Sequence, residues 1–126
     1  MSDHEPSGQV RILIVDDDPM TCRLLSVQLE LEGYACVTAS DPRAVLSTIA
    51  STSPRLVLLD FHLGKHEGLE LLRAIRSVKE HHDLAVVVMS GLNHRRECEL
   101  AGANDFVLKP FSSEDLVNTI QGVLKG

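Results

Sequence analysis

The chain has 126 residues, 44% hydrophobic and 24% charged, with a formal net charge of -6, enough for one core that buries roughly two thirds of the unfolded surface. No apolar run approaches the roughly 18 residues that a membrane span requires, and no basic cluster exists for direct nucleic-acid binding, Arg95-Arg96 being too short. Three cysteines, Cys22, Cys36 and Cys98, stand in unrelated segments without metal-type spacing, which suits a reducing compartment, the cytoplasm, better than a disulfide framework.

Residues 1–9 are polar, with neither a basic start nor an apolar stretch, and read as a flexible tail ahead of a domain over residues 10–126. The first strand is expected over Val10 to Val15. Asp18-Pro19 then reads as an N-cap followed by a first helical residue, where proline's missing amide costs nothing, and the helix runs to about Glu32 before Gly33. A second strand follows from Tyr34 to Ala39, and Asp41-Pro42 repeats the start signal for a helix to about Ala50. Arg55 to Asp60 is the third strand, with Gly68 at the entry to a helix carrying Leu69, Leu72 and Ile75 at helical spacing. Ala85 to Met89 is the fourth, and its unbroken apolar content predicts a central strand buried on both faces. A short polar helix over Asn93 to Ala101, a fifth strand over Asp105 to Lys109 and a last helix starting at Ser112-Ser113-Glu114-Asp115 complete the chain. Strands alternating with helices in this way predict an α/β fold of five βα units, doubly wound on a parallel sheet.

Four of these apolar runs deliver polar residues at their carboxyl ends: Asp16 to Asp18, Asp60, Ser90 and Lys109. In an open parallel sheet the ligand crevice lies just beyond those ends, so residues distant in sequence converge there. Three carboxylates, Asp16, Asp17 and Asp60, repel one another unless a cation joins them, and a hard divalent ion such as magnesium suits an all-oxygen set better than zinc does. A phosphoryl group arriving at one carboxylate needs its charge matched, and Lys109, Ser90 and the ion supply that match. Asp60 stands alone at the end of a central strand and is the natural acceptor, whereas Asp16 and Asp17 are placed together as a metal-holding pair.

These residues, together with Met89-Ser90-Gly91 and the run Ala101 to Phe111, make the chain resemble a response-regulator receiver domain of two-component signalling over residues 10 to 125. The resemblance implies a flavodoxin-like sheet of strand order 2-1-3-4-5, Asp60 as phosphoacceptor, and Asp17 and Asp60 as direct Mg2+ ligands. It also implies that Asp16 holds the ion through water and that the backbone carbonyl of His62 completes the set. Ser90, Gly91 and Lys109 would contact the phosphoryl oxygens, the Lys109-Pro110 bond would be cis, and Phe106 would occupy the aromatic switch position. Implied partners are a sensor histidine kinase or a histidine phosphotransfer protein, with output through the face made by helix four, strand five and helix five. Through the same face the chain would be a monomer or a weak dimer. Ser90 and Phe106 stand where many relatives carry Thr and Tyr, and Gly64 where a proline is common.

Three features remain open at this level. Helix four has few apolar anchors and is expected to be among the least stable elements. Helix one carries a second apolar stripe, Met20, Leu24, Val27 and Leu31, which either packs against the last helix or docks a kinase or phosphotransfer helix. The histidines at 62, 66, 81 and 82 read as solvated loop residues, not as a transition-metal site. The competing function is an aspartyl-phosphate phosphatase-like enzyme. Such enzymes place a second acid two residues after the nucleophile, where this chain has His62, so the reading favours a signalling switch that promotes only its own phosphorylation and dephosphorylation.

Overall fold

In the computed structural model of the chain, which describes residues 9–126, the apolar runs form one five-stranded parallel sheet. Its strands are β1 (Arg11–Val15), β2 (Ala35–Ala39), β3 (Leu56–Asp60), β6 (Ala85–Ser90) and β7 (Asp105–Leu108). Two further strands, β4 (His62–Leu63) and β5 (His66–Glu67), form a separate small hairpin. The order β2-β1-β3-β6-β7 is the expected 2-1-3-4-5 order once the hairpin is set aside. Of the tail expected over residues 1–9, all but Gln9 lies outside the described residues.

Period-two alternation sorts each strand's side chains onto two faces. From β1, Ile12 and Ile14 join Leu56, Leu58, Val87 and Met89 beneath α1 (Pro19–Leu31) and α5 (Ser113–Lys125). Leu13 and Val15 instead join Val57, Leu59, Val86 and Val88 beneath α2 (Val45–Thr52), α3 (Gly68–Ser77) and α4 (Arg95–Leu100). Every residue of β3 and β6 is buried, the condition predicted for central strands covered on both sides.

Local chemistry sets the helix starts. Asp18 Oδ1 accepts the Met20 amide at 3.0 Å ahead of Pro19, and Ser112 Oγ accepts the Asp115 amide at 3.0 Å. Two expected helices begin late. Asp41-Pro42 starts a 3-10 turn, Pro42–Ala44, before α2 proper. At α4, Asn93 Oδ1 accepts the Arg95 amide at 3.1 Å, a local turn that keeps Asn93 outside the helix it was expected to open; His94 is the N-cap, and six helical residues remain. Only Cys98 of α4 is buried, as few anchors predicted. The second stripe of α1 does not pack against the last helix, since Met20, Leu24, Val27 and Leu31 are all exposed while Cys22, Leu25 and Leu29 fill the core. One helix can turn only one face to the sheet, and α5 takes no more than its edge.

Candidate functional site

The chain leaves β1 for β2 on one side and returns to β3 on the other, so the carboxyl ends of β1 and β3 flank the point where strand order reverses. Asp16 and Asp17 follow β1, and Asp60 ends β3. Their carboxylate oxygens lie within 4.8 Å of one another. Asp16 is 3% exposed and Asp60 6%, whereas Asp17 faces solvent. From the far side Lys109 brings its Nζ to 3.2 Å from Asp60 Oδ1, a hydrogen bond, and to 3.8 Å from Asp16 Oδ2, an ion pair without hydrogen-bond contact.

One ammonium for three carboxylates leaves the crevice short of positive charge. Burial pushes the Asp60 carboxyl above its usual range, with Asp17 adding to the rise and Lys109 opposing it. Asp16 is likewise raised, first by burial, then by Asp60 and Asp17. Asp16 Oδ1 accepts the Asp18 amide at 3.0 Å, but its Oδ2 is buried and accepts no hydrogen bond. A buried carboxylate oxygen aimed into an all-oxygen crevice fits a hard divalent cation, which would supply the missing charge.

A pH dependence follows. A carboxylate whose folded pKa is raised above 3.8 destabilises the fold progressively as pH climbs from 3.8 through the raised value, because the unfolded chain then holds fewer protons than the folded one. In EDTA at neutral pH, Asp60→Asn should therefore be more stable than the wild type by on the order of 1 kcal/mol. Thermal unfolding followed against pH checks this: the advantage should vanish below about pH 4.

The other strand-end residues sit where the ladder ends. Lys109 donates its amide to the Ser90 carbonyl at 2.7 Å, fixing β7 to the last residue of β6, and the Lys109-Pro110 bond is cis. Ser90 is 1% exposed, and its hydroxyl accepts the Leu92 amide at 3.2 Å, so it is engaged within its own loop. Gly91 next to it is exposed. His62 follows Asp60 by two residues and opens the β4–β5 hairpin, with its side chain exposed. Gly64, with φ +63, and Lys65 form that hairpin's two-residue turn, and a Cβ at Gly64 would lie 3.5 Å from Asp17 Oδ2. Leu63, fully buried, anchors the hairpin to the core. Gly68 crosses the acidic strand end so closely that an added Cβ would lie 2.3 Å from the Asp60 carbonyl oxygen.

Phe106 is 3% exposed, its ring already inside the core beside Cys98 and Val88. Sequence reasoning gave no role to the residue that holds it. The Arg95 guanidinium carbon lies 5.8 Å from the Phe106 ring centroid, while Nη2 donates to the Phe106 carbonyl and Nη1 to Asp105 Oδ1, both at 2.9 Å. Where a tyrosine would use its hydroxyl, this chain ties α4 to β7 by an arginine. Also unforeseen was Arg76, which donates to the carbonyls of Gly102 and His81 and to Asn104 Oδ1, itself the acceptor of the Val86 amide. Such contacts join residues on different elements and have no periodicity in sequence. A groove of about 760 Å³ between α2 and the turn before β6 lies at the opposite end of the sheet and includes none of the strand-end residues.

A doubly wound flavodoxin-like domain with an acidic crevice and a facing lysine at its switch point defines a class of phosphoryl-handling switches. The model of the response regulator receiver domain matches residues 12–121, and the chain belongs to that family. Response regulator MprA of Mycolicibacterium vanbaalenii is 36% identical over 119 residues, covering 92% of this chain and 51% of that protein. The nitrogen assimilation regulatory protein NtrX of Azorhizobium caulinodans is 41% identical over 111 residues, 84% of this chain and 24% of the relative. The crystal structure of the receiver domain of NtrX from Brucella abortus superposes with a TM-score of 0.82 at 35% identity, covering 90% of this chain and 98% of that one. The chain thus spans about half, or less, of the length of these curated relatives.

Proposed function

We propose that this chain is a cytoplasmic phosphoacceptor switch in which Asp60 takes a phosphoryl group from a phosphohistidine of a sensor kinase or phosphotransfer protein. One observation carries the reading: three carboxylates within 4.8 Å of one another, with a lysine ammonium 3.2 Å from the most central of them. Mg2+ would be held by Asp17, Asp60 and the His62 carbonyl, with Asp16 acting through water, and would offset negative charge on the transferring group. An oxygen of Asp60 forms the new P–O bond as the P–N bond to the donor imidazole breaks. Lys109, the Ser90 hydroxyl and the Gly91 amide bind the phosphoryl oxygens, and Ser90 must give up the Leu92 amide to do so.

Partner contact is assigned to two surfaces. The exposed stripe Met20, Leu24, Val27 and Leu31, which starts next to the crevice and runs along α1 away from it, receives the donor's helix, and its apolar side chains support that role. Output passes through α4, β7 and α5. There Arg95 links Phe106 to α4, and the Leu92 amide holds the Ser90 hydroxyl in the loop that precedes α4. The chain catalyses only its own phosphorylation and dephosphorylation.

Acetyl phosphate with magnesium should place one phosphoryl group on Asp60, mapped by mass spectrometry, and beryllofluoride with magnesium should shift the amide spectrum, with EDTA erasing both effects. Sustained turnover of a small phosphoester at an enzyme-like rate would sink this reading.

A further inference from the structure

Two residues outside the strand-end set meet, one next in the chain to Asp60 and the other in the loop that follows Ser90. Phe61 directly follows Asp60 and is held on both sides, donating its amide to the Met89 carbonyl at 2.8 Å and accepting the Gly68 amide at 2.6 Å. It is a fixed, buried platform. His94 lies at the far end of the loop that leaves Ser90, and its ring stacks on that platform with centroids 3.9 Å apart and planes 3° from parallel. His62 stands edge-on to Phe61 at 5.0 Å. Within the first turn of α4, His94 Nδ1 meets Glu97 Oε1 at 3.0 Å, which orients the ring, while its Nε2 is buried without a hydrogen-bond partner. A ring that leaves one nitrogen unsatisfied is placed there by packing.

The segment from Ser90 to His94 is therefore pinned at two points. At Ser90 the pin is the Lys109 amide, and at His94 it is the stack on Phe61. Gly91, Leu92 and Asn93 between them are exposed, and the Leu92 amide is the group that holds the Ser90 hydroxyl. We propose that His94 is a positioning residue for phosphoryl transfer at Asp60: by stacking on Phe61 it sets where the Ser90 hydroxyl and the Gly91 amide stand relative to the carboxylate. The proposal rests on the reading of Asp60 as phosphoacceptor and adds to it a residue that touches neither the phosphoryl group nor the ion.

The test compares wild type, His94→Ala and His94→Phe by rate of labelling with acetyl phosphate and magnesium, and by decay of the acyl phosphate after donor removal. Labelling and decay place similar charge on the same phosphoryl oxygens, so His94→Ala should slow both by about three- to tenfold, the factor that one aromatic pair contributes. His94→Phe keeps the stack and should restore both rates. Each variant's thermal unfolding confirms that the fold is kept, and the phenylalanine variant carries the test if alanine loosens α4. Rates unchanged in His94→Ala would overturn the proposal. So would faster decay, which would make the ring a shield against water, or failure of phenylalanine to rescue, which would assign the effect to imidazole chemistry. An unlabelled wild type would overturn the phosphoacceptor reading instead.

Discussion

Asp60→Ala should abolish both the magnesium-dependent labelling by acetyl phosphate and the spectral response to beryllofluoride, whereas Lys109→Ala should leave a slow reaction, reduced about 10²-fold. The difference follows from what each group is asked to do. Asp60 supplies the oxygen that forms the new bond, and it is the carboxylate that Lys109 Nζ meets at hydrogen-bond distance, 3.2 Å, whereas Asp16 Oδ2 lies 3.8 Å from that ammonium and Asp17 faces solvent. Lys109 supplies charge, and the loss of charge slows the reaction without removing the bond-forming atom. The loss in Asp60→Ala would not come from unfolding, because the ionised Asp60 is disfavoured by burial and its removal leaves Lys109 near Asp16. A wild-type response in Asp60→Ala would refute the assignment of that residue.

Gly68→Ala should cost about 3 kcal/mol of stability and weaken the phosphoryl response in the same protein. The added Cβ would lie 2.3 Å from the Asp60 carbonyl oxygen, 2.8 Å from the Phe61 Cα and 3.0 Å from the Phe61 carbonyl oxygen, all backbone atoms without a rotamer to escape into. Relief requires α3 to back away from β3, which lengthens the Gly68 amide bond to Phe61 and moves the backbone on which Asp60 and the Phe61 platform stand. For a domain of this size the loss amounts to roughly a 10 °C fall in Tm. Thermal unfolding with labelling of the same samples checks both parts, and a wild-type Tm would show that the close approach is not enforced in solution.

Much of this could be read from the residues. The runs ending in Asp16, Asp60 and Ser90 are strands because four or five consecutive apolar residues must be buried on two faces, the run before Lys109 is a shorter one of three, and their ends converge because the sheet is parallel. Asp18-Pro19 and Ser112 announced their helices because capping is a contact between near neighbours. Boundaries slipped where a side chain competed with the helix, at Asn93 and at Asp41-Pro42. The exposure of Met20, Leu24, Val27 and Leu31 could not be foreseen, since an apolar stripe has the same spacing whether a neighbour covers it or not.

By itself the sequence determined the order of the elements, the chemistry at the strand ends and the family, because these depend on local pattern and on residue type. Only the tertiary structure decided the contacts between elements: the stack of His94 on Phe61, the hold of Arg95 on Phe106, and the press of Gly68 against the carbonyl of Asp60. The physical reason is range. Periodicity and capping act within a few residues of the chain, whereas a ring contact or a Cβ clash depends on ångström placement that emerges only when the helices close onto the sheet.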